Sequence, residues 1–130
     1  MTDSRSAVRA VMATALAGMG ALHLVPPAAR RMAAIVPPSM RDRPLTASQL
    51  VLLTGFCELA GAGGLLVPET RRAAGAALLV FYAAVFPANV YAARHPERFG
   101  PIAVPLVPRA IGQVAIAGLT VWAASGPRRP

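Results

Sequence analysis

Five polar side chains inside otherwise apolar stretches are the residues of this chain with the clearest chemical potential. They are Glu58, Arg109, Gln113, Asn89 and His23. Glu58 lies near the middle of the otherwise uncharged run 47–67. An ionisable group at mid-membrane depth costs about 2.5 to 3.5 kcal/mol on insertion scales, so it is usually turned inward and paired, or used for function. Together these groups could bind a polar headgroup or pass a proton.

Composition favours a protein that lies in the lipid bilayer. The chain has 130 residues, of which 55% are hydrophobic and only 14% charged, and its mean hydropathy is +0.54. A soluble domain could not easily bury so much apolar surface. All 13 basic residues are arginines, most of them between the apolar runs, which is typical of anchoring to lipid headgroups. Scattered arginine pairs and 5% aromatic residues argue against a nucleic-acid partner.

Four apolar stretches are long enough to cross a bilayer. They span residues 8–25, 47–67, 73–93 and 106–124. Each reaches the roughly 17 to 25 residues that a spanning helix needs. The sequence therefore predicts an all-α protein, a single integral membrane domain over residues 1–130 that forms an antiparallel four-transmembrane-helix bundle. Arg5 and Arg9, followed by an apolar stretch with small residues, would also fit a secretory signal, but the stretch is long and ends in His23 and a proline pair rather than a cleavage site.

The connectors constrain the topology. The long first connector holds the apolar segment 32–36 between two arginines and two prolines, which predicts a segment at the headgroup boundary. The turn 68–72 is so short that the second and third helices must be antiparallel neighbours. The arginines balance across the two sides, so the positive-inside rule does not choose an orientation. We expect a multi-pass protein of the cell membrane with both termini in the cytoplasm, because the long connector is the less constrained one to translocate.

Helix direction places the polar residues in one half of the bilayer. At 1.5 Å per residue, His23 lies about 3 Å deep, Asn89 about 6 Å, and Glu58 and Gln113 about 10 to 16 Å. Arg109 and Gln113 are four residues apart and share a helix face. We therefore predict an ion pair between Glu58 and Arg109. The remaining three residues would complete its hydrogen bonds.

Small residues near Glu58 indicate close helix packing. Gly55 and Gly61 share its face of the second helix, and Gly64 forms a small-xxx-small pattern with Ala60. These glycines predict the close approach of a neighbouring helix.

Pro87 lies within the third apolar run. It lacks an amide hydrogen, so it should kink the helix just before Asn89 and free a carbonyl near Ala83. Water or a polar side chain could then bond that carbonyl.

Metal and thiol chemistry have little support. The single Cys57 excludes an intramolecular disulfide, and a small apolar filler is the favoured interpretation of it. His23 and His95 lack ligand spacing, so no metal centre is predicted. The chain also has no motif for an intrinsic redox cofactor.

The chain resembles the DoxX-like family of small four-helix integral membrane proteins. The resemblance rests on residues 50–75, with a Gly and Glu in the second helix, a Gly-rich exit and a Pro, then a Thr-Arg-Arg turn. It continues in the Phe-Pro-Ala-Asn motif within 85–93 and in IVPP at 35–38. His23, Arg109 and Gln113 fit as well. This resemblance implies a four-helix membrane fold and ties to membrane redox complexes, since the family is named for a subunit associated with a thiosulfate:quinone oxidoreductase.

Two functions follow as expectations. The first is an accessory subunit of a quinone-linked redox system, not a complete enzyme, whose polar pocket holds a quinone headgroup or relays protons for a membrane or peripheral redox partner. The second is a non-catalytic scaffold or assembly factor that docks other membrane proteins through its small-residue faces. In the second case the polar residues would only specify helix packing. A small transporter is less favoured, because four spans would need to form a homo-oligomer.

Overall fold

Between residues 3 and 126, the part of the chain that this computed structural model describes, the protein folds into helices and turns. Its α-helices are α1 (Ser4–Leu24), α2 (Pro26–Ala34), α3 (Ala47–Leu66), α4 (Arg71–Arg94), α5 (Pro96–Phe99) and α6 (Leu106–Ala124). Short 3₁₀ turns lie at Pro38–Met40 and Gly100–Ile102. The described residues form no strand, and the predicted all-α class is confirmed.

Four of these helices are long and apolar enough to cross a membrane: α1, α3, α4 and α6. The prediction of a four-helix membrane bundle is thus confirmed, with boundaries within a few residues of those expected. The largest difference is at the start of α1, which begins at Ser4 instead of Val8. Asp3 caps this start, because its side-chain Oδ1 accepts a hydrogen bond from the Arg5 amide over 3.4 Å.

Local sequence signals fix both ends of α3. A capping box starts the helix: the Gln49 amide donates to Oγ1 of Thr46 over 3.2 Å, and the Thr46 amide donates to Oε1 of Gln49 over 2.9 Å. At its end, the Thr70 hydroxyl donates to the Gly64 carbonyl over 3.0 Å. The short turn between Leu66 and Arg71 joins α3 to α4, and these two helices pack as antiparallel neighbours, as predicted.

The four long helices form a ring. Helix α1 packs on α3, α3 on α4, α4 on α6, and α6 on α1, whereas α1 and α4, like α3 and α6, lie across the diagonals. The short helix α2 lies against both α1 and α3. The first connector is therefore helical in its first part, and it packs against two of the long helices.

Buried residues recur along α3 in steps of four and three, the spacing that packs helices in left-handed bundles. On α3 they include Val51, Gly55, Glu58, Ala62 and Leu65. A similar series runs along α4, through Arg71, Gly75, Leu78 and Tyr82. Because Glu58 sits in the middle of its series, it faces the interior of the bundle.

The apolar core lies toward the end of the bundle where α1 begins and α6 ends. Its buried members are Met12, Leu65, Leu78, Tyr82, Ala123 and Ala124. On the outside, large apolar side chains are open: Val80 is 71% and Val114 72% exposed. Such an exterior suits contact with lipid tails.

Candidate functional site

A buried pair of polar residues, His23 and Glu58, joins α1 to α3. Nδ1 of His23 lies 3.0 Å from Oε2 of Glu58. Each residue is only 8% exposed. His23 comes from the last turn of α1, and Glu58 comes from the buried series of α3.

Two glycines let these helices approach closely enough for the pair to form. A Cβ atom on Gly20 would lie 2.9 Å from the Gly55 carbonyl oxygen, and one on Gly55 would lie 2.7 Å from Cβ of His23. The two backbones therefore touch at this point. The sequence analysis singled out Gly55 but missed Gly20. A signal existed, since Gly20 precedes His23 by three residues just as Gly55 precedes Glu58.

The hydrogen bonds of the pair are incomplete. Nδ1 of His23 also lies 2.8 Å from the Met19 carbonyl oxygen, in hydrogen-bond geometry. A carbonyl only accepts, so Nδ1 carries a hydrogen there and donates it to Met19. The 3.0 Å contact of Nδ1 with Oε2 of Glu58 is not aligned as a hydrogen bond, and among residues 3–126 no other group donates to Oε2. One N–H thus faces two acceptors.

The predicted ion pair between Glu58 and Arg109 is wrong. Arg109 donates through Nη1 to Oδ1 of Asn89 over 2.7 Å, and through Nε to the Val104 carbonyl over 3.3 Å. Its Nη2 donates to the Ile102 carbonyl. The reason is the order of the helices in the ring. Helices α3 and α6 are diagonal, so Arg109 on α6 bonds instead to Asn89 on the neighbouring helix α4.

The depth of His23 was also predicted wrongly. Counting residues along each helix from a common membrane surface placed His23 much closer to that surface than Glu58, yet the two side chains are in contact. Helix α1 ends at Leu24, where the chain turns into α2, and α2 lies beside α3 in its place. The last turn of α1 is therefore level with Gly55 and Glu58, in the middle of α3.

Gln113 bonds the backbone of α4. Its Nε2 donates to the Tyr82 carbonyl over 2.8 Å. This carbonyl is one residue from Ala83, where Pro87 removes the usual helical donor. Gln113 therefore bonds the carbonyl next to the one that Pro87 frees, and α4 continues through Pro87 to Arg94.

A second buried contact between α4 and α6 was not foreseen. The Thr120 hydroxyl donates to the Ile116 carbonyl over 2.8 Å, so the Tyr82 hydroxyl donates to Oγ1 of Thr120 over 3.1 Å. Thr120 is fully buried and Tyr82 is 7% exposed. The position of Tyr82 in the buried series of α4 was the available signal.

The five predicted site residues thus form two groups. His23 and Glu58 lie between α1 and α3, while Arg109, Asn89 and Gln113 lie between α4 and α6. Of the four packing candidates, Gly61 lies against Leu78 of α4, with a Cβ position 2.5 Å from its Cδ2 atom. Gly64 lies similarly close to Ala74, and Pro87 is exposed on α4.

Two surface grooves are apolar, and no residue of either polar group lines them. One lies between α1 and α3 and is lined by small residues such as Ala13, Ala17 and Gly63. The other lies between α3 and α4, and the exposed Cys57 lines it. Within residues 3–126, no three His, Cys, Asp or Glu side chains are grouped closely enough to hold a metal ion.

The extent of the sequence match is decisive for family membership. Residues 12–125 match the family described as a domain of unknown function (DUF8561). The chain belongs to this family. The matched range contains both polar groups and all four long helices apart from the first turns of α1. No curated protein and no solved structure matches the chain.

Of the two polar groups, the pair of His23 and Glu58 is the one that still has an unused hydrogen-bond acceptor among the described residues. Arg109 and Gln113 use their donors on backbone carbonyls and on Asn89, which is what polar side chains do when they hold helices together. The carboxyl of Glu58 keeps acceptor capacity that its surroundings do not use. An imidazole and a carboxyl in contact can also exchange a proton.

Proposed function

We propose that this protein is an accessory subunit of a quinone-linked redox system in the cell membrane. In this proposal, the pair of His23 and Glu58 binds the polar headgroup of the quinone, and a membrane or peripheral partner carries out the electron transfer. The proposal rests on one observation: Oε2 of Glu58 is buried, and no residue that the structure describes gives it a hydrogen bond. Arg109, Asn89 and Gln113 then act as structural ties and not as parts of the pocket.

The energetics support a functional role for the pair. A buried ion pair is expensive unless further hydrogen bonds satisfy the remaining lone pairs. The contact of α1 with α3 already has close packing at Gly20 and Gly55, so it does not need a carboxyl group to form. A costly and incompletely bonded group in a membrane interior is by default a candidate for function.

The resemblance to the DoxX-like family gives independent support. Its motif includes Glu58 and its flanking glycines, and it implies a link to quinone-dependent redox complexes. We place both termini in the cytoplasm, so that the tight turn between α3 and α4 faces the same side.

Binding of a quinone to the purified protein tests this proposal. A short-chain benzoquinone, or its reduced benzoquinol form, should bind to the wild type in detergent, as measured by titration calorimetry. Glu58→Gln should reduce that binding at least tenfold while the protein stays folded. The matched control is Glu69→Gln, which makes the same change at an exposed residue of the turn between α3 and α4. If the wild type binds no quinone and Glu58→Gln merely unfolds the protein, the pair is structural and the proposal fails.

A specific observation also favours a second function, that of a scaffold or assembly factor. Helix α6 leaves a broad apolar surface open, with Val107 70%, Ile111 65% and Val114 72% exposed. A Cβ atom on Gly112 or on Gly118 would meet nothing within 4 Å. Helices of other membrane proteins, or of a second copy, could approach such a surface closely. Gly112→Leu should then not lower the melting temperature of the isolated protein but should weaken its association with other membrane proteins, as measured by chemical cross-linking in membranes.

A further inference from the structure

The short helix α2 has two adjacent arginines on its outer face. Arg30 and Arg31 are exposed, whereas the residues of the opposite face are half-buried: Ala28, Ala29, Met32 and Ala33. With 3.6 residues per turn, these two sets lie on opposite sides of the helix. Since α2 packs against α1 and α3, the two arginines lie on the face turned away from the bundle.

Neither of these arginines has a partner within the described part of the protein. Neither forms a hydrogen bond, an ion pair or a ring contact with any residue that the structure describes. The nearby Arg41 differs, because its guanidinium group bonds the carbonyls of Val36 and of Ala34 at the end of α2. No described carboxyl group balances the charge of α2, so its two guanidinium groups are available to an anion from outside the described chain.

The position of α2 along the bundle places these charges at the membrane boundary. Leu24, the last residue of α1, lies with its Cδ2 atom 3.4 Å from a Cβ position on Gly55, near the middle of α3. From Leu24 to Arg30 the chain advances by about 13 Å at most, through an extended Val25 and one helical turn. From Gly55 to Ala47, where α3 begins, the helix covers about 12 Å. Arg30 therefore lies about level with the start of α3, or deeper.

An unpaired guanidinium group is costly at this depth, and the cost falls when the long side chain extends to the lipid headgroups. The anions at that level are phosphate groups, which a guanidinium group can bond through two parallel N–H donors. We infer that the outer face of α2 binds an anionic phospholipid, whose phosphate group bonds Arg30 and Arg31. The two positive charges favour a headgroup with a net negative charge over a zwitterionic one. This site is independent of the proposed quinone site.

The charge of the headgroup provides the first test. The purified protein in an uncharged detergent is mixed with phosphatidylglycerol or with phosphatidylcholine of the same acyl chains, and the bound lipid is measured by native mass spectrometry. Both lipids have a phosphate group, but only phosphatidylglycerol has a net charge. With two arginines at the site, we expect phosphatidylglycerol to bind at least about tenfold more tightly, since each basic residue near an anionic surface contributes roughly a factor of five. Equal binding of the two lipids overturns the inference.

Variants show whether the preference resides at α2. Arg30→Gln combined with Arg31→Gln removes both charges, so the affinity for phosphatidylglycerol should fall to that for phosphatidylcholine. The control combines Arg72→Gln with Arg94→Gln. It removes two charges from arginines of α4 that are also exposed and without a partner among the described residues, and it should keep the preference. Retention of the preference in the α2 variant, or an equal loss in both variants, overturns the assignment to α2.

Two further measurements complete the test. The melting temperature in detergent shows whether each variant folds. If the α2 double variant does not fold, Arg30→Gln and Arg31→Gln are measured singly, each with an expected loss of roughly fivefold in affinity for phosphatidylglycerol. No loss in either single variant overturns the inference. Inorganic phosphate separates a lipid site from a site for free anions: if it binds to the lipid-free protein as tightly as phosphatidylglycerol does, the assignment to a lipid is overturned.

Discussion

Gly55 sets the distance at which His23 and Glu58 meet. A methyl group at this position would lie 2.7 Å from Cβ of His23 and 2.9 Å from the Gly20 carbonyl, both too close for ordinary contact. Neither neighbour is the flexible end of a long side chain, so the helices themselves would have to move apart. The polar pair and the glycine contact are therefore parts of one arrangement.

Gly55→Ala should separate α1 from α3. Alanine favours a helix by about 0.8 to 1 kcal/mol over glycine, but crowding a packed contact costs about 1 to 3 kcal/mol. We expect a net loss of stability, seen as a lower melting temperature in detergent. Gly63→Ala on the same helix is the control, because its Cβ would meet nothing within 4 Å. A melting temperature that rises equally in both variants would contradict the close contact.

Tyr82 and Thr120 should be energetically coupled. Their hydroxyl groups bond across α4 and α6, and hydrogen bonds of this kind in membrane proteins average about 0.6 kcal/mol and reach about 1.7 kcal/mol. A double-mutant cycle of Tyr82→Phe and Thr120→Val should give a coupling in that range. The same cycle with Thr54→Val should give none, since the Thr54 hydroxyl donates only to the Leu50 carbonyl of its own helix. Coupling of equal size in both cycles would mean that the cross-helix bond contributes nothing.

Sequence reasoning identified the polar residues but not their partners. Residue type and apolar context are enough to single out Glu58, His23 and Arg109. Partner choice depends on which helices are neighbours, and an up-and-down chain of four helices does not specify that by connector length alone. Tyr82 and Thr120 escaped notice because a hydroxyl group costs little in an apolar segment and leaves no charge in the sequence.

The ends of several helices are completed by arginines from other segments. Arg71 at the start of α4 donates through Nε to the Leu65 carbonyl near the end of α3, over 3.1 Å. Arg9 of α1 donates to the Ala123 carbonyl of α6 over 2.9 Å. Arg41 donates to the Val36 carbonyl over 2.7 Å and to the Ala34 carbonyl at the end of α2. These guanidinium groups bond carbonyls that have no partner within a helix, and they balance the negative end of the helix dipole.

Arg109 has an analogous role between α6, α4 and the connector that precedes α6. Arg109→Lys should loosen this connector, because an ammonium group cannot match the fork of a guanidinium that bonds Asn89 and two carbonyls. We expect faster hydrogen exchange at residues 100–105 and a loss of about 1 to 3 kcal/mol. The control Arg94→Lys changes an exposed arginine at the end of α4. Unchanged exchange in Arg109→Lys would show that these bonds do not hold the connector.

The order of the helices was easier to predict than their relative positions along the bundle axis. The Pro-Glu-Thr turn required α3 and α4 to be neighbours, and they are. The proline pair after Val25 marked the end of α1, but the following residues fold into α2 and pack on α3. Helix ends that look level in the sequence are thus offset, and this offset placed His23 beside Glu58.

The fold as a whole predicts which segments share a side of the membrane. With four spans, Ser39 and Glu97 lie on one side, and Glu69 lies on the other with the start of α1 and the end of α6. Single cysteines at these positions, in a Cys57→Ala background, can be labelled with a membrane-impermeant maleimide. In intact cells we expect labelling at positions 39 and 97 but not at 69. Inverted vesicles should give the opposite pattern, and labelling of 39 and 69 from the same side would exclude the four-span topology.

The two polar groups each lie within one half of the chain, and this affects how the protein is made. Glu58 in the second span finds His23 in the first, and Arg109 and Gln113 in the fourth span find Asn89 and the Tyr82 carbonyl in the third. Each partner is therefore synthesised before the costly residue that needs it. Had Glu58 depended on Arg109, its carboxyl group would have waited unpaired in the lipid until the last span emerged from the ribosome. Co-translational insertion can thus proceed one helical pair at a time.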